Sequence, residues 1–407
     1  MLKRILLVLI ALYVAAVVWR VYARKLYIWL PDYTLRWMVR KPESVSQPVH
    51  VFVLFADHFE PGNDASLMQR WENEYPKFAA RHRDADSRPA QHTWFYPGEQ
   101  PVDRNMAGLQ KLTGGGFGEV ELHYHHENDT QESTRRKFQE AVTYFQKFGF
   151  LRSATGETHF AFVHGNWGLD NSNGPAFCGA NRELDLLREL GCFADFTFSS
   201  IWHESQPSLV NSIYEAVDDD RPKSYDRGTP LRLGAPAGPG LTIFEGPLLI
   251  APTLDPRKLF FKVEDGDVHI GVPASPARVD LWVRANVHVE GRPDWIFIKL
   301  HGHGGASIGE MNEMVGPRFD EALRHLERRY NDGAGYVLHY VTAREAYNLA
   351  RAAAAGRHGD PRQYYDFVIP KYSATPPAGT NSKSKVKGQK SNVKSVAAGN
   401  TPATTLP

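Results

Sequence analysis

Histidines and carboxylates stand in short clusters that directly follow apolar segments of this chain. Asp57 follows one such segment, and His123, His125 and His126 follow another. Imidazole nitrogens and carboxylate oxygens are the ligands that zinc uses in proteins, and nickel, cobalt and manganese accept the same donors. Asp57 with two of the histidines would supply three protein ligands and leave an open coordination position, as a catalytic metal requires. These residues therefore predict a divalent metal site, zinc above all.

The second histidine ligand depends on the local backbone. Alternate residues of a strand share a face, which would pair His123 with His125. If the chain instead enters a helical turn after His123, His126 takes that place. The alternative to both is a row of surface histidines that binds no metal.

A glycine-rich turn carries a second pair of histidines. His301 and His303 follow the apolar segment 295–300 in the sequence His-Gly-His-Gly-Gly. Either could protonate a leaving group as a general acid, because imidazole titrates near neutral pH. The alternative is a loop histidine whose partners are its own neighbours.

Three further residues have the chemistry of a sugar-binding surface. Trp167 offers an apolar face to a pyranose ring, and Asn166 and Asp170 offer hydrogen bonds to hydroxyl groups. A core tryptophan beside a turn would leave the same pattern. Asp195, within another strand-like segment, could orient a catalytic histidine or cap a helix.

The segment 305–309 matches the G-x-S-x-G pattern of serine esterases around Ser307. In those enzymes the oxyanion loop and the nucleophile follow different strands, whereas here the glycine-rich loop and Ser307 are adjacent in sequence. We therefore do not expect Ser307 to be a nucleophile.

The elements that would position these residues alternate between strands and helices. Strands are predicted at 50–55, 119–122, 159–163, 193–198, 295–300 and 335–339, and helices at 134–148, 182–190, 318–330 and 343–355. Such alternation is typical of an α/β fold with parallel strands and crossover helices, whose active site lies at the carboxyl ends of the strands. Residues 225–290 instead carry short strands with Gly/Pro turns, which predict an antiparallel β insertion.

Composition excludes several classes of protein. The 47 Lys and Arg residues nearly balance 46 Asp and Glu, which argues against a nucleic-acid partner. The 2 cysteines exclude a disulfide scaffold and an all-cysteine metal cluster. The proportions of hydrophobic and charged residues, 42% and 23%, are those of a globular domain.

Both ends of the chain differ from the central region. Residues 1–42 combine an apolar run with a segment that mixes Tyr, Trp and Leu with Arg and Lys, which predicts an uncleaved membrane anchor and an interfacial segment. We expect a single-pass protein of a bacterial inner membrane. The flanking charges favour a cytoplasmic main domain, but a signal anchor would export it, and both orientations remain open. Residues 373–407 are rich in Lys and Ser and predict a disordered tail.

Five motifs in order resemble the polysaccharide deacetylase (NodB-homology) family, over roughly residues 49–350. They are FADHFEPG, ELHYHHEND, FVHGNWGLDNS, ADFTFSS and IFIKLHGHGG. The resemblance implies a distorted (β/α) barrel of about seven parallel strands, here spanning 49–370 and followed by the tail.

In that family the first strand ends in two aspartates, a catalytic base and then a metal ligand. The matching pair here is Ala56 and Asp57, or Asp57 and His58 if the register slips by one residue. In the first register Asp57 would be the ligand and the usual base would be missing. The base would then be one of the nearby carboxylates, Glu60, Glu127 or Asp129.

The resemblance also implies roles for histidines. Its late Leu-His motif corresponds to Leu300 and His301, which makes His301 the general acid. Its two second-strand histidines lie four residues apart, but Glu127 occupies the second place here, so His125 or His126 must substitute. An arginine-proline motif that follows the third strand in the family is absent.

The expected function is therefore a metal-dependent hydrolase that removes acetyl groups from a polysaccharide or a related glycan. The expected partners are an acetylated glycan and, through the anchor, a membrane. One alternative is a glycoside hydrolase of the same superfamily that uses two carboxylates such as Glu60 and Asp170. A non-catalytic glycan-binding relative, suggested by Ala56, is another.

Overall fold

The computed structural model describes residues 1–39, 45 and 47–373 and shows a mixed α/β fold. Within them, ten strands form one large, mostly parallel sheet. Its strands are β1 (Val49–His58), β2 (His92–Pro97), β3 (Gly118–Tyr124), β4 (Phe160–His164), β5 (Cys192–Asp195), β6 (Ser212–Ala216), β7 (Thr229–Pro230), β8 (Leu241–Glu245), β11 (Trp295–Gly302) and β12 (Tyr336–Tyr340). Strands β9 (Leu249–Pro252) and β10 (Phe261–Glu264) pair with each other as a separate antiparallel sheet.

The order of the strands leaves the large sheet open. Strand β11 pairs along one side of β1, while β12 and β2 share its other side. Strands β3, β4, β5 and β8 follow in parallel, and β6 and β7 complete the edge in antiparallel orientation. The expected barrel is not confirmed, because β6 occupies the edge of β8 that β11 would need in order to close it.

Helices cover the outer face of this sheet. They are α3 (Ala65–Ala79), α4 (Asp103–Gly114), α5 (Gln131–Gln146), α6 (Glu183–Glu189), α7 (Pro276–Ala285), α8 (Ile308–Val315) and α9 (Pro317–Arg329), after α1 (Leu2–Ala23) and α2 (Leu30–Val39) at the N-terminus. Helix α10 (Ala343–Ala354) instead packs its apolar side chains in the core on the opposite face of the sheet. Capping boxes begin α5 at Thr130 and α10 at Thr342, since each threonine accepts a hydrogen bond from the backbone three residues on. The four helices predicted from periodicity correspond to α5, α6, α9 and α10.

Alternation along the strands divides the apolar residues between two cores. Val53 of β1 packs in an outer core between the sheet and the helices. Its neighbours in sequence, Phe52 and Leu54, point to the other face of the sheet and belong to an inner core. In that inner core the Phe297 ring of β11 lies 5.1 Å from Phe52 of β1 and 6.3 Å from Phe244 of β8, centroid to centroid. The open sheet therefore curls until its two sides touch.

The expected insertion at 225–290 is only partly a separate unit. Strands β9 and β10 form the antiparallel pair expected there, but β8 is a member of the main sheet and lies parallel to β5. The apolar run of β8 resembled the neighbouring short strands, so sequence alone did not distinguish a buried sheet strand from an accessory one. Strand β2 was not predicted at all, although it is entirely buried.

The N-terminal region combines an exposed helix with a docked segment. Helix α1 is the one helix among the described residues that is long and apolar enough to cross a membrane, with mean hydropathy 2.4; a signal sequence has the same character. Leu26 and Trp29, in contrast, are buried against Ile201, Val210 and Leu248. Part of the segment that we expected at the membrane interface therefore packs on the domain, because its apolar side chains complete a core cluster there.

The last described residues are attached to the domain. The Tyr372 hydroxyl donates to Glu121 Oε1 at 2.7 Å, and the Ser373 N–H donates to the Arg152 carbonyl at 2.8 Å. The expected disordered tail, apart from Ser373, lies outside the described residues. Residues 40–44 and 46, between the expected anchor and the sheet, also lie outside them.

Candidate active site

Three potential metal ligands meet at the carboxyl edge of the sheet. Glu60 Oε1 lies 2.9 Å from His123 Nε2 and 3.0 Å from His125 Nε2. One ligand atom from each of the three lies within 4.8 Å of the others. The His123 side chain is fully buried, while those of Glu60 and His125 are 21% and 32% exposed. The cluster is therefore anchored in the protein and open on one side.

The strand pattern explains why these three residues meet. On β3, Leu122 and Tyr124 pack in the outer core, so His123 points to the inner face and His125, two residues on, follows it. The His123 Nδ1 lies 2.9 Å from the Val163 carbonyl, which only accepts hydrogen bonds. Nδ1 therefore carries a proton, and Nε2 is the atom that faces the Glu60 carboxylate.

His125 is held between two carboxylates. Its Nδ1 lies 2.7 Å from Glu99 Oε1, opposite the contact of its Nε2 with Glu60. Burial lowers the pKa of His125, but hydrogen bonds to Glu60 and Glu99 outweigh that effect and raise the pKa to about 10. Burial raises the pKa of Glu60, but its hydrogen bonds to His123 and His125 outweigh burial and hold that pKa well below its ordinary range. Without a metal, His125 is therefore protonated near pH 7 between the two carboxylates, and a bound metal ion would replace the proton on its Nε2.

Two further histidines lie beside this cluster. The His58 ring centroid lies 5.0 Å from that of His123 and 4.7 Å from that of His303. Burial, with the neighbouring histidines, lowers the pKa of His58 well below its ordinary value, and burial also lowers the pKa of His303. His58 Nε2 is buried and has no hydrogen-bond partner among the described residues. Both rings are therefore neutral near pH 7 and able to accept a proton.

Asp57 does not join this cluster. It is fully buried on the outer side of β1, where its Oδ2 lies 3.0 Å from His92 Nε2 and its Oδ1 accepts the Gly304 N–H at 2.6 Å. The expectation that Asp57 and His123 share a ligand set is corrected by strand alternation, since Asp57 and His58 point to opposite faces of β1. Asp57 instead holds the turn that carries His303.

His126 also lies elsewhere. Its neighbour Tyr124 packs in the outer core, and the His126 ring follows the same side, 5.5 Å from Phe138 between centroids. There it meets His164 and Glu183 rather than Glu60. Of the two alternatives for the second histidine, the structure brings His125 to His123 and separates His126 from both.

The two other expected catalytic residues are deeply buried. His301 points inward with Nε2 4.0 Å from Asp267 Oδ1, and its Nδ1 has no hydrogen-bond partner among the described residues. Asp195 accepts hydrogen bonds from the Thr197 N–H at 3.0 Å and the Thr197 hydroxyl at 2.7 Å. Its described hydrogen bonds therefore go to a threonine and not to the catalytic histidine that we expected it to orient.

The expected sugar-binding residues do not form one surface. The Trp167 ring packs against the His203 ring, tilted by 33° with 4.5 Å between centroids, and Asn166 is exposed. Asp170 is fully buried, and its Oδ2 accepts the Ser224 N–H at 2.7 Å. Burial raises the pKa of Asp170 to about 8. Asp170 is thus not available to a sugar hydroxyl or as the second carboxylate of a glycosidase pair.

Ser307 has a structural role. It is the N-cap of α8, and its hydroxyl accepts the Glu310 N–H at 3.1 Å. The resemblance of this segment to a nucleophile elbow therefore comes from a helix start and a glycine turn that are adjacent in sequence.

A cavity of about 460 Å³ lies at the opposite end of the sheet, where β1, β11 and β12 begin. Asp86 and His339 on its wall form, with Asp84, another group of possible metal ligands. Asp84, however, already accepts backbone N–H groups of Asp86 and Arg88, and Asp86 pairs with Arg362 at 3.0 Å. Because these charges are paired with one another, we place the candidate active site at the carboxyl edge instead.

Sequence reasoning missed several residues of the site. Glu99 was not found because it follows β2, whose apolar segment 92–97 was not recognised as a strand. Glu60 was considered as a base or as one carboxylate of a glycosidase pair, but not as a metal ligand, although it lies two residues beyond His58 and so points to the same side. Cys178 and Glu183, which meet His126, are far from any predicted strand end.

The donors at this edge fit a divalent metal. His123 Nε2 and His125 Nε2 lie 2.9 and 3.0 Å from the same Glu60 oxygen, so a divalent ion that displaced the protons between them would be within reach of all three side chains. Two imidazoles and one carboxylate form a three-ligand set of the kind that catalytic zinc uses.

Comparison of the chain with protein-family models, curated proteins and solved structures finds no match.

Proposed function

We propose that the protein is a metal-dependent hydrolase that removes acetyl groups from a polysaccharide or related glycan. The observation that carries this proposal is the cluster of Glu60, His123 and His125, which is partly open to solvent at the carboxyl edge of the sheet. The order of the motifs, which resembles that of polysaccharide deacetylases, supports the substrate class. The same resemblance would make the curled sheet a (β/α) barrel left incomplete between β8 and β11.

Glu60, His123 and His125 would hold the metal, zinc above all, with nickel, cobalt or manganese as alternatives. When bound, such an ion supplies Lewis acidity, which activates water and polarises a carbonyl group. Val163 orients His123 through its carbonyl, and Glu99 orients His125 through its carboxylate. These outer contacts are of the kind that raise the basicity of imidazole ligands.

Proton transfer is the second requirement of acetyl hydrolysis. His303 lies beside His58, and its lowered pKa keeps the ring neutral and ready to accept a proton. We assign to His303 the transfer of a proton from water to the leaving amine or alkoxide. His301, which the resemblance would make the general acid, is the more deeply buried of the two histidines.

The test is metal content and acetate release of the full-length protein in mild detergent. Chelation should abolish acetate release from acetylated oligosaccharides, and added zinc or cobalt should restore it. Glu60→Gln and His123→Ala should lose the metal of this site. His303→Ala should keep the metal and lower turnover by about 10²- to 10⁴-fold.

Ser307→Ala is the matched control, since it lies next to the same turn but only caps a helix. It should retain both metal and activity. Loss of activity in this variant together with insensitivity to chelators would contradict the proposal. Stoichiometric metal without acetate release, but with glycan binding, would instead identify the non-catalytic relative.

We further propose that α1 is a single membrane span in a bacterial inner membrane. Its length and hydropathy support this, and an acetylated envelope glycan as substrate favours a periplasmic domain, against the flanking charges. Protease digestion of spheroplasts tests the side, since an exported domain is cleaved without lysis and a cytoplasmic one is protected.

A further inference from the structure

A second cluster of metal-binding side chains lies behind the candidate active site. It comprises His126 after β3, His164 at the end of β4, Cys178 in the following loop and Glu183 at the start of α6. One ligand atom from each lies within 4.8 Å of all the others, and all four residues are buried. We propose that these residues bind zinc in a closed structural site, distinct from the Glu60 cluster.

The contacts converge on one point. His126 Nε2 lies 2.9 Å from Glu183 Oε1 and 3.0 Å from His164 Nε2. The Cys178 Sγ lies 3.4 Å from the other carboxylate oxygen of Glu183. Four donors of the types that zinc prefers, two imidazoles, a thiol and a carboxylate, thus surround a single small volume.

The outer contacts of both histidines direct Nε2 toward that volume. His126 Nδ1 lies 3.1 Å from Asp129 Oδ2, and His164 Nδ1 contacts the Gly165 carbonyl. Since both partners accept hydrogen bonds, the protons lie on Nδ1, and the two Nε2 lone pairs face each other at 3.0 Å. Two lone pairs at that distance, next to a buried carboxylate, repel one another unless a proton or a metal ion binds there.

The other two ligands are supported in the same way. The Ala180 N–H donates to the Cys178 sulfur at 3.3 Å, and the Asp170 N–H donates to Glu183 Oε2 at 2.6 Å. A proton shared between the two histidines would also relieve their repulsion, and Cys178 would then remain a thiol that donates to Glu183. Zinc accounts for all four side chains and for the orientation of each, as supporting contacts do at metal sites.

Closure of the site indicates a structural role. Structural zinc has four protein ligands, whereas catalytic zinc keeps an open position, as the Glu60 cluster would. The ligands join two strand ends to the loop that leads into α6, a region built of short turns. This loop contains Gly165, which packs directly against the His125 ring. Bound zinc would therefore also fix the backbone that supports His125, a ligand of the candidate active site.

Cobalt substitution of the full-length protein in detergent tests the proposal. The Glu60 cluster contains no cysteine, so a thiolate-to-cobalt charge-transfer band in the near ultraviolet reports on the Cys178 site alone. We expect that band in the wild-type protein and in Glu60→Gln. We also expect the purified wild-type protein to retain one equivalent of zinc more than Cys178→Ser does.

Cys192→Ser is the matched control, because Cys192 is the other buried cysteine and lies on β5, away from the cluster. This variant should keep both the band and the zinc. Absence of the band in cobalt-loaded wild-type protein would overturn the proposal, whether or not Cys178→Ser folds. Persistence of the band in Cys178→Ser, or its loss in Cys192→Ser, would do the same.

Discussion

Replacing Asp57 by alanine separates its structural role from that of a metal ligand. Asp57 is fully buried, and its two oxygens bind the Gly304 N–H at 2.6 Å and His92 Nε2 at 3.0 Å. Neither contact involves the Glu60 cluster. We therefore expect Asp57→Ala to destabilise the fold and to leave metal bound at Glu60, His123 and His125.

The cost follows from the two partners that lose their acceptor. A buried polar group without a partner costs about 1–3 kcal/mol, so two such groups cost roughly 2–6 kcal/mol in the free energy of unfolding. At roughly 2 °C per kcal/mol, the low end of the range for domains of about 200 residues, the Tm should fall by about 4–12 °C. Asp57→Asn should lose much less, because the amide can still accept from Gly304 and can donate to His92.

Thermal unfolding and metal content should be measured on the same preparations of Asp57→Ala and Glu60→Gln. The two variants should show opposite results. Glu60 is partly exposed and would be a ligand, so its variant should lose the metal of this site but little intrinsic stability of the metal-free fold. Turnover should also fall in Asp57→Ala, because the Gly304 turn carries His303. If Asp57→Ala lost this metal with an unchanged Tm in the metal-free state, Asp57 would be a ligand and the assignment of Glu60 would be refuted.

Three further variants test other parts of the structure. Gly165→Ala would place a Cβ 2.2 Å from His125 Cδ2 and displace that ring. The metal affinity of the Glu60 cluster, measured by competition with a chelator, should therefore fall about 10- to 100-fold. Gly114→Ala is the control and should leave this affinity unchanged, because the space around Gly114 is open. Burial raises the pKa of Asp195 from 3.8 to about 7, so the folded state holds this proton more tightly and loses stability as pH rises between those values. The free energy of unfolding of Asp195→Asn should therefore equal that of the wild type near pH 4 and exceed it by up to ~4 kcal/mol above pH 7. If urea titrations gave the same difference in this free energy at both pH values, the prediction would be wrong. Trp29→Ala should cost about 3–5 kcal/mol in the same titrations, and no loss would show that the segment after α1 does not stabilise the domain.

The α/β class and the location of the site could be predicted from the sequence because both depend on local patterns. Apolar segments of strand length alternate with helical periodicity, and polar clusters follow the strands. Parallel strands bring their carboxyl ends to one edge of the sheet, so His123 and His303 were expected at that same edge. Sequence spacing argued against Ser307 as a nucleophile, and the structure places this residue at the N-cap of α8.

The ligand set depended on which face each side chain takes. Asp57, His58 and Glu60 are within four residues of one another, and a shift of one position exchanges the outer face for the inner one. Asp57 was expected as a ligand because of its carboxylate and its place after a strand, and the resemblance to deacetylases implied the same role. The register of β1 instead turns Asp57 toward His92 and brings Glu60 to His123. Register is set by packing on both faces of the sheet, which the local sequence does not specify.

Long-range contacts decided the rest. Cys178 and Glu183 meet His126 across more than fifty positions of chain, and the Trp29 ring is covered by residues from beyond position 200. No local pattern encodes such meetings, because they arise when separate elements close around a shared core. Residue types and their spacing were therefore sufficient for the class of fold and for the edge of the sheet at which the candidate ligands lie. Only the packing of strands and loops against one another decided which donors converge, since convergence depends on distance in space and not on distance along the chain.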